Sequence, residues 1–146
     1  MENAEWPCVM SHRWINRLGL PEGTNPIFLF EKQLTLTDTS SSQYRLTLPV
    51  YWVEKIIPLL TSEERNLMGR DGLEAQLWDH TGRKGEIRIR SQPTFAIVGR
   101  GWKELMNANH LTGGIDSVRL WAFRHGNEQK FCLALAHVRL PSELYM

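Results

Sequence analysis

The sequence has few of the features that mark specialised classes of protein. Two of its 146 residues are cysteine, Cys8 and Cys132, which is too few for a disulfide framework or a zinc cluster, and we expect buried thiols. No apolar run approaches the roughly 20 residues of a membrane helix. The first residues are acidic where a secretory signal would be basic. We therefore expect a soluble, intracellular protein that requires no metal or cofactor and contacts no membrane.

The size and composition are those of one ordinary globular domain. Hydrophobic residues make up 42% of the chain and charged residues 23%. A chain of this length buries roughly 70% of the surface that its unfolded form exposes. A packed apolar core is therefore expected without disulfide or metal support.

The net charge is only +1, but the charges are unevenly distributed along the chain. Residues 1–82 contain seven Lys or Arg and eleven Asp or Glu, whereas residues 83–146 contain ten and five. Between residues 83 and 103, Glu86 is the one acid among six basic residues: Arg83, Lys84, Arg88, Arg90, Arg100 and Lys103. Such a cluster fits either a polyanion-binding surface or an ordinary solvated sheet face.

The N-terminal segment is predicted to be an amphipathic helix over 5–18. Its apolar residues recur at a spacing of four, at Trp6, Met10, Trp14 and Leu18. We expect this stripe to pack on the main domain. The alternative is that Trp6, Met10 and Trp14 hold a protein partner or a second copy of the chain.

The rest of the chain is predicted to be mainly β, with about seven short strands and two or three short helices. This pattern suggests a small barrel or sandwich. Thr61 and Glu64 form a capping-box signature ahead of one short helix. In the strand 86–90, a period of two turns Ile87 and Ile89 inward, so that Arg88 and Arg90 point outward together.

Several motifs in order resemble the plant-specific B3 DNA-binding domain, in the branch whose last strands carry Leu-Trp-(Ala or Ser)-Phe-Arg. The match spans about residues 30–136. Its most specific part is the stretch 116–124, Asp-Ser-Val-Arg-Leu-Trp-Ala-Phe-Arg. Earlier parts are Lys32-Gln33-Leu34-Thr35, Arg45-Leu46-Thr47-Leu48-Pro49, Phe95-Ala96-Ile97, Gly101-Trp102 and Asn109-His110-Leu111.

This resemblance implies a seven-stranded open DNA-binding pseudobarrel over 27–138, after an N-terminal helix and linker at 1–26 and before a tail at 139–146. It also implies a nuclear transcriptional regulator that grips the major groove of double-stranded DNA with two loop arms, residues 37–45 and 88–95. Arg90 is the best candidate for base readout, because an arginine fork can meet both guanine acceptors. The full set of candidate DNA-binding residues is Thr39, Ser40, Ser41, Ser42, Gln43, Arg45, Arg83, Lys84, Arg88, Arg90, Ser91, Gln92 and Thr94.

Two other functions are alternatives to DNA binding. The first is a protein-interaction module that keeps the pseudobarrel but has lost specific DNA readout, since Ser42, Val50 and Phe95 depart from residues that are common in related branches. The second is an enzyme, which the sequence disfavours: the histidines lack metal-ligand spacing and no nucleophile triad emerges. Asp79 and His80 are adjacent in a predicted turn, where a structural role is the simpler interpretation.

Overall fold

The computed structural model describes residues 12–20, 25–40, 45–92 and 94–138. Seven strands form one sheet, in the order β1-β6-β7-β3-β4-β5-β2. The strands are β1 Ile27–Gln33, β2 Arg45–Thr47, β3 Leu73–Asp79, β4 Lys84–Arg90, β5 Ala96–Val98, β6 Ser117–His125 and β7 Lys130–Val138. The α-helices are α1 His12–Arg17, α2 Val50–Ile56, α3 Ser62–Met68 and α4 Arg100–Ala108. The sheet curls into an open half-barrel, which confirms the predicted pseudobarrel.

The sheet is antiparallel except where β3 runs parallel to β7. Its two edge strands, β1 and β2, are consecutive in the chain, and the inner face is filled by one apolar cluster. Ile87 and Ile89 belong to that cluster, while Glu86, Arg88 and Arg90 are exposed, as the period-two pattern predicted. Trp102 of α4 lies completely buried in the same cluster.

Helix α4 lies directly on the backbone of β4. It begins after Gly99, whose φ of 117° is a backbone conformation that favours glycine. A Cβ on Gly85 would lie 2.7 Å from the Cα of Gly101, so neither position leaves room for a side chain. The segment 99–101 therefore opens the helix that carries Trp102.

Helix α1 covers the other face of the sheet through a second apolar cluster. The rings of Trp14 and Trp121 meet edge to face with centroids 5.0 Å apart, and Leu18 is buried beside them. Packing on the domain is thus confirmed for the described part of the predicted helix. The prediction that Trp14 could hold a partner is wrong, because only 9% of this residue is exposed. Trp6 and Met10 lie outside the described residues.

Two element ends have local causes. Helix α2 is followed by a 3-10 turn at Ile57–Leu59, because Pro58 has no N–H to continue an α-helix. Strand β1 ends at Gln33, and the chain then turns around Asp38. The capping box at Thr61 is present, with both reciprocal hydrogen bonds.

Among the helices in the described ranges, none has the length and apolar character needed to cross a bilayer. Cys132 is a free, buried thiol, and burial raises its pKa. Cys8 lies outside the described residues.

Candidate nucleic-acid interface

The candidate interface is built on the outer face of three adjacent strands. Antiparallel pairing places Arg88, Val98 and Arg45 in one row across β4, β5 and β2, and Arg90, Ala96 and Thr47 in the next. Residues paired in this way project on the same side of the sheet. Two strand spacings, roughly 10 Å, separate the backbone of Thr47 from that of Arg90. The short β2–β5 ladder therefore holds the attachment points of both predicted arms close together.

The first arm, 37–45, is anchored at its base by the buried carboxylate of Asp38. Oδ2 accepts the backbone N–H of Thr35 at 2.8 Å, and Oδ1 accepts that of Thr47 at 3.1 Å. The ammonium of Lys32 lies 2.8 Å from Oδ2, and the indole N–H of Trp102 donates to the Asp38 carbonyl at 2.8 Å. The start of this arm is thus fixed to both edge strands and to α4.

The second arm is tied to the end of α3. Both the backbone N–H and the hydroxyl of Ser91 donate to the carbonyl of Met68, at 3.0 and 3.2 Å. Gly72, with φ of +105°, lies under the aliphatic stems of two arginines: a Cβ there would be 3.2 Å from Cγ of Arg90 and 3.3 Å from Cβ of Arg88. The loop itself spans 91–95, since Arg88 and Arg90 remain on β4.

The two outward arginines of β4 have different surroundings. Arg88 donates to the carbonyl of Asp71 at 3.0 Å and to Oε2 of Glu74 at 3.2 Å. The guanidinium of Arg90 is exposed and makes no hydrogen bond or ion pair with any residue that the structure describes. Arg90 is therefore the strand arginine available to an incoming ligand.

The other predicted residues fall into three groups. Arg45, Gln92 and Thr94 lie on this surface, with Thr39 and Ser40 at the base of the first arm. Arg83 and Lys84 are at the opposite end of β4, roughly 20 Å from Arg90 at the rise of a strand. There Lys84 lies over the ring of Trp78, and Arg83 lies 3.8 Å from Asp79. Ser41, Ser42 and Gln43 are outside the described residues.

Arg70 is a basic residue of this surface that the sequence did not indicate. It lies exposed in the turn after α3 and lines one groove with Arg88 and Arg90. Its proximity to Arg88 and Arg90 depends on the contact between Ser91 and Met68, which joins segments 23 residues apart. The only local feature of the sequence that could have indicated Arg70 is its position as a basic residue in the turn between α3 and β3.

Asp79, the acid next to His80, has a structural role in the turn after β3. Oδ1 of Asp79 accepts the backbone N–H groups of Thr81 and Arg83, and Asn109 donates to Oδ2. Burial would raise the pKa of Asp79, but these bonds and the Thr81 hydroxyl outweigh it and hold the pKa below its usual value. In the described parts of the chain, no three His, Cys, Asp or Glu side chains are grouped as metal ligands.

The arginine that ends the motif Leu-Trp-Ala-Phe-Arg is a structural residue. Arg124 donates to both oxygens of Glu64, at 2.7 and 2.8 Å, and to the carbonyl of Leu59 at 2.7 Å. The hydrogen bonds from Arg124 lower the pKa of Glu64 against the opposing effect of burial. This pair ties β6 to the capping box of α3, and α3 in turn holds the second arm.

Comparison with known proteins agrees with this architecture. The sequence model of the family "B3 domain-containing protein At2g31720-like" matches residues 9–139. This chain is a member of the B3 domain family. It is similar to two Arabidopsis thaliana proteins, the putative B3 domain-containing protein At4g03170 (27% identity; 75% of this chain, 44% of the relative) and the B3 domain-containing protein At3g25182 (27%; 72% and 34%). The chain thus spans less than half the length of these relatives.

Solved structures share the fold. The Arabidopsis thaliana transcription factor LEC2, solved in complex with DNA, superposes with a TM-score of 0.53 at 18% identity, covering 82% of this chain and all of that chain. The Arabidopsis thaliana protein At1g16640.1 gives 0.50 at 16% identity, with coverage of 80% and 93%. At these identities the similarity establishes the fold of this B3 domain.

Proposed function

We propose that this B3 domain binds double-stranded DNA selectively, with its two arms in the major groove, as a nuclear regulator of plant transcription. The observation that carries the proposal is the exposed guanidinium of Arg90, which has no partner among the described residues and projects from the strand end where the second arm begins. The LEC2 complex supports it, because that protein shares the fold and was solved with DNA.

The roles of the residues follow from their surroundings. Arg90 reads guanine, since its planar fork matches the O6 and N7 acceptors. Arg70, across the groove from it, contacts a phosphate and fixes the position of the duplex. Gln92 and Thr94 are exposed on the second arm and supply polar groups to the backbone or to base edges. Ser91 anchors the arm, because its hydroxyl already donates to Met68.

Both arms are held rigidly where they join the domain, which supports recognition of a duplex. The Asp38 hydrogen bonds fix the first arm against β2, and the Ser91 hydrogen bonds fix the second arm against α3. A pre-ordered surface loses less conformational entropy on binding than a flexible one.

Titration of a fluorescent duplex with the protein over a salt series tests the proposal. We expect the logarithm of the association constant to fall linearly with the logarithm of the salt concentration. The slope should be about −0.9 for each phosphate neutralised, with about four to six phosphates contacted. A single-stranded probe of the same sequence is the control. Absence of duplex binding at micromolar protein, or binding that ignores salt, would overturn the proposed function.

A further inference from the structure

Among the residues that the structure describes on the basic surface, one carboxylate is placed directly against an arginine. β3 and β4 pair so that Glu74 lies opposite Arg88 on the outer face, and Arg88 donates to Oε2 of Glu74 at 3.2 Å. In the next outward pair, the side-chain amide of Gln76 donates to Oε2 of Glu86 at 3.1 Å, so these two side chains bond each other. Glu74 is therefore the acid that contacts an arginine, Arg88, on the outer face of β4.

We infer that Glu74 is a specificity-determining residue that suppresses non-specific binding to the DNA backbone, an inference that depends on the proposed function. A phosphate that approaches Arg88 must displace the carboxylate of Glu74 and then remain near its negative charge. Arg90 has no such competitor among the described residues, so a guanine edge meets a free fork. The surface thus penalises backbone contact at Arg88 while leaving base contact at Arg90 unopposed.

The exposure of the pair decides what it contributes. The Glu74 side chain is 77% exposed and that of Arg88 49%, so the ion pair adds little to folding stability. Its principal effect is on the availability of Arg88, since the carbonyl of Asp71 holds the guanidinium from the other side. Replacement of Glu74 should therefore change binding without changing the melting temperature.

The test compares Glu74→Gln with wild type on a duplex of random sequence and on the duplex enriched by selection. Release of Arg88 should tighten random-duplex binding about two- to fivefold, the range that an exposed ion pair supports. It should also steepen the salt slope by about 0.9, the increment for one further phosphate. Binding to the selected duplex should improve less, so that the ratio of specific to random affinity falls.

Two further variants separate this role from a general charge effect. Glu54→Gln removes the same charge from an exposed position of α2, outside the interface, and should leave both affinities unchanged. Glu74→Gln combined with Arg88→Gln should match Arg88→Gln alone, because the effect acts through that arginine.

The inference is overturned if Glu74→Gln behaves like Glu54→Gln, or if its gain persists in the double variant. Either result would leave the proposed function intact, provided that wild type still binds duplex with salt dependence. If no variant and no wild-type sample binds any duplex, the proposed function fails and this inference fails with it.

Discussion

The ammonium of Lys32 on β1 donates to the carbonyl of Thr47 on β2 at 2.6 Å, which links the two edge strands of the sheet. The same ammonium lies 2.8 Å from the buried carboxylate of Asp38. Lys32 therefore spans the opening of the half-barrel and neutralises the charge that anchors the first arm. One side chain therefore couples closure of the sheet to the position of the loop that we propose to bind DNA.

Lys32→Met should destabilise the fold by about 3 kcal/mol, because it leaves the Asp38 carboxylate buried without its cation. Chemical denaturation would measure the free energy of unfolding. Lys130→Met, which alters an exposed residue at the start of β7, is the matched control and should cost far less. Equal effects of the two substitutions would show that Lys32 has no special structural role.

Arg124→Met should cost about 2 kcal/mol, since it removes charge-assisted hydrogen bonds to Glu64 and Leu59. It should also reduce the sensitivity of stability to acid. Because the pKa of Glu64 in the folded protein lies below its ordinary value of 4.5, the pair stabilises the fold above that pH and loses its effect as pH falls through the folded value.

Unfolding free energies from pH 6 down to the acid limit of folding would check this sign. Wild type should lose more stability than Arg124→Met over the range just below 4.5. Asp79 also has a lowered pKa, but it is present in both proteins and cancels from the difference. Parallel pH curves would contradict the assignment.

Gly101→Ala should destabilise the domain by about 2 kcal/mol, because the new methyl group would meet the backbone of β4. Gly69→Ala is the control: its φ is −83° and its Cβ would have no neighbour nearer than 3.7 Å. Thermal melts of both variants would measure the contrast. A neutral Gly101→Ala would mean that α4 and β4 are less closely packed than described.

Trp14→Ala should cost about 3 kcal/mol, because it empties a buried site against Trp121. Duplex affinity should not change, as α1 packs on β6 and β7 through Trp121 and Cys132, whereas the arms adjoin β2, β4 and β5. Asn16→Ala, an exposed change on the same helix, is the control for stability. Loss of DNA binding by folded Trp14→Ala would contradict this separation of roles.

Local patterns predicted much of the fold and of the site. Strand alternation alone placed Ile87 inside and Arg88 outside, because the side-chain period of a strand is fixed by its backbone geometry. The Thr61 capping box was likewise legible, since its hydrogen bonds join residues three apart.

What could not be predicted depends on contacts between distant segments. The pairing of Arg88 with Glu74 requires the register of the β3–β4 hairpin, which counting outward from the turn at 80–83 could have supplied. The bridge from Lys32 to Thr47 requires the curl of the whole sheet, and the place of Arg70 requires the contact between Ser91 and Met68. No short window of sequence contains the Lys32–Thr47 contact or the Ser91–Met68 contact.

Selection from a randomised duplex library, performed with wild type and with Arg90→Ala, tests the central claim most directly. Wild type should enrich a defined site, and Arg90→Ala should lose about 1 to 3 kcal/mol of discrimination at one guanine while retaining salt-dependent binding to random duplex. Arg83→Ala, which removes the same charge from the far end of β4, should keep the wild-type site. Identical enrichment by wild type and Arg90→Ala would contradict the account.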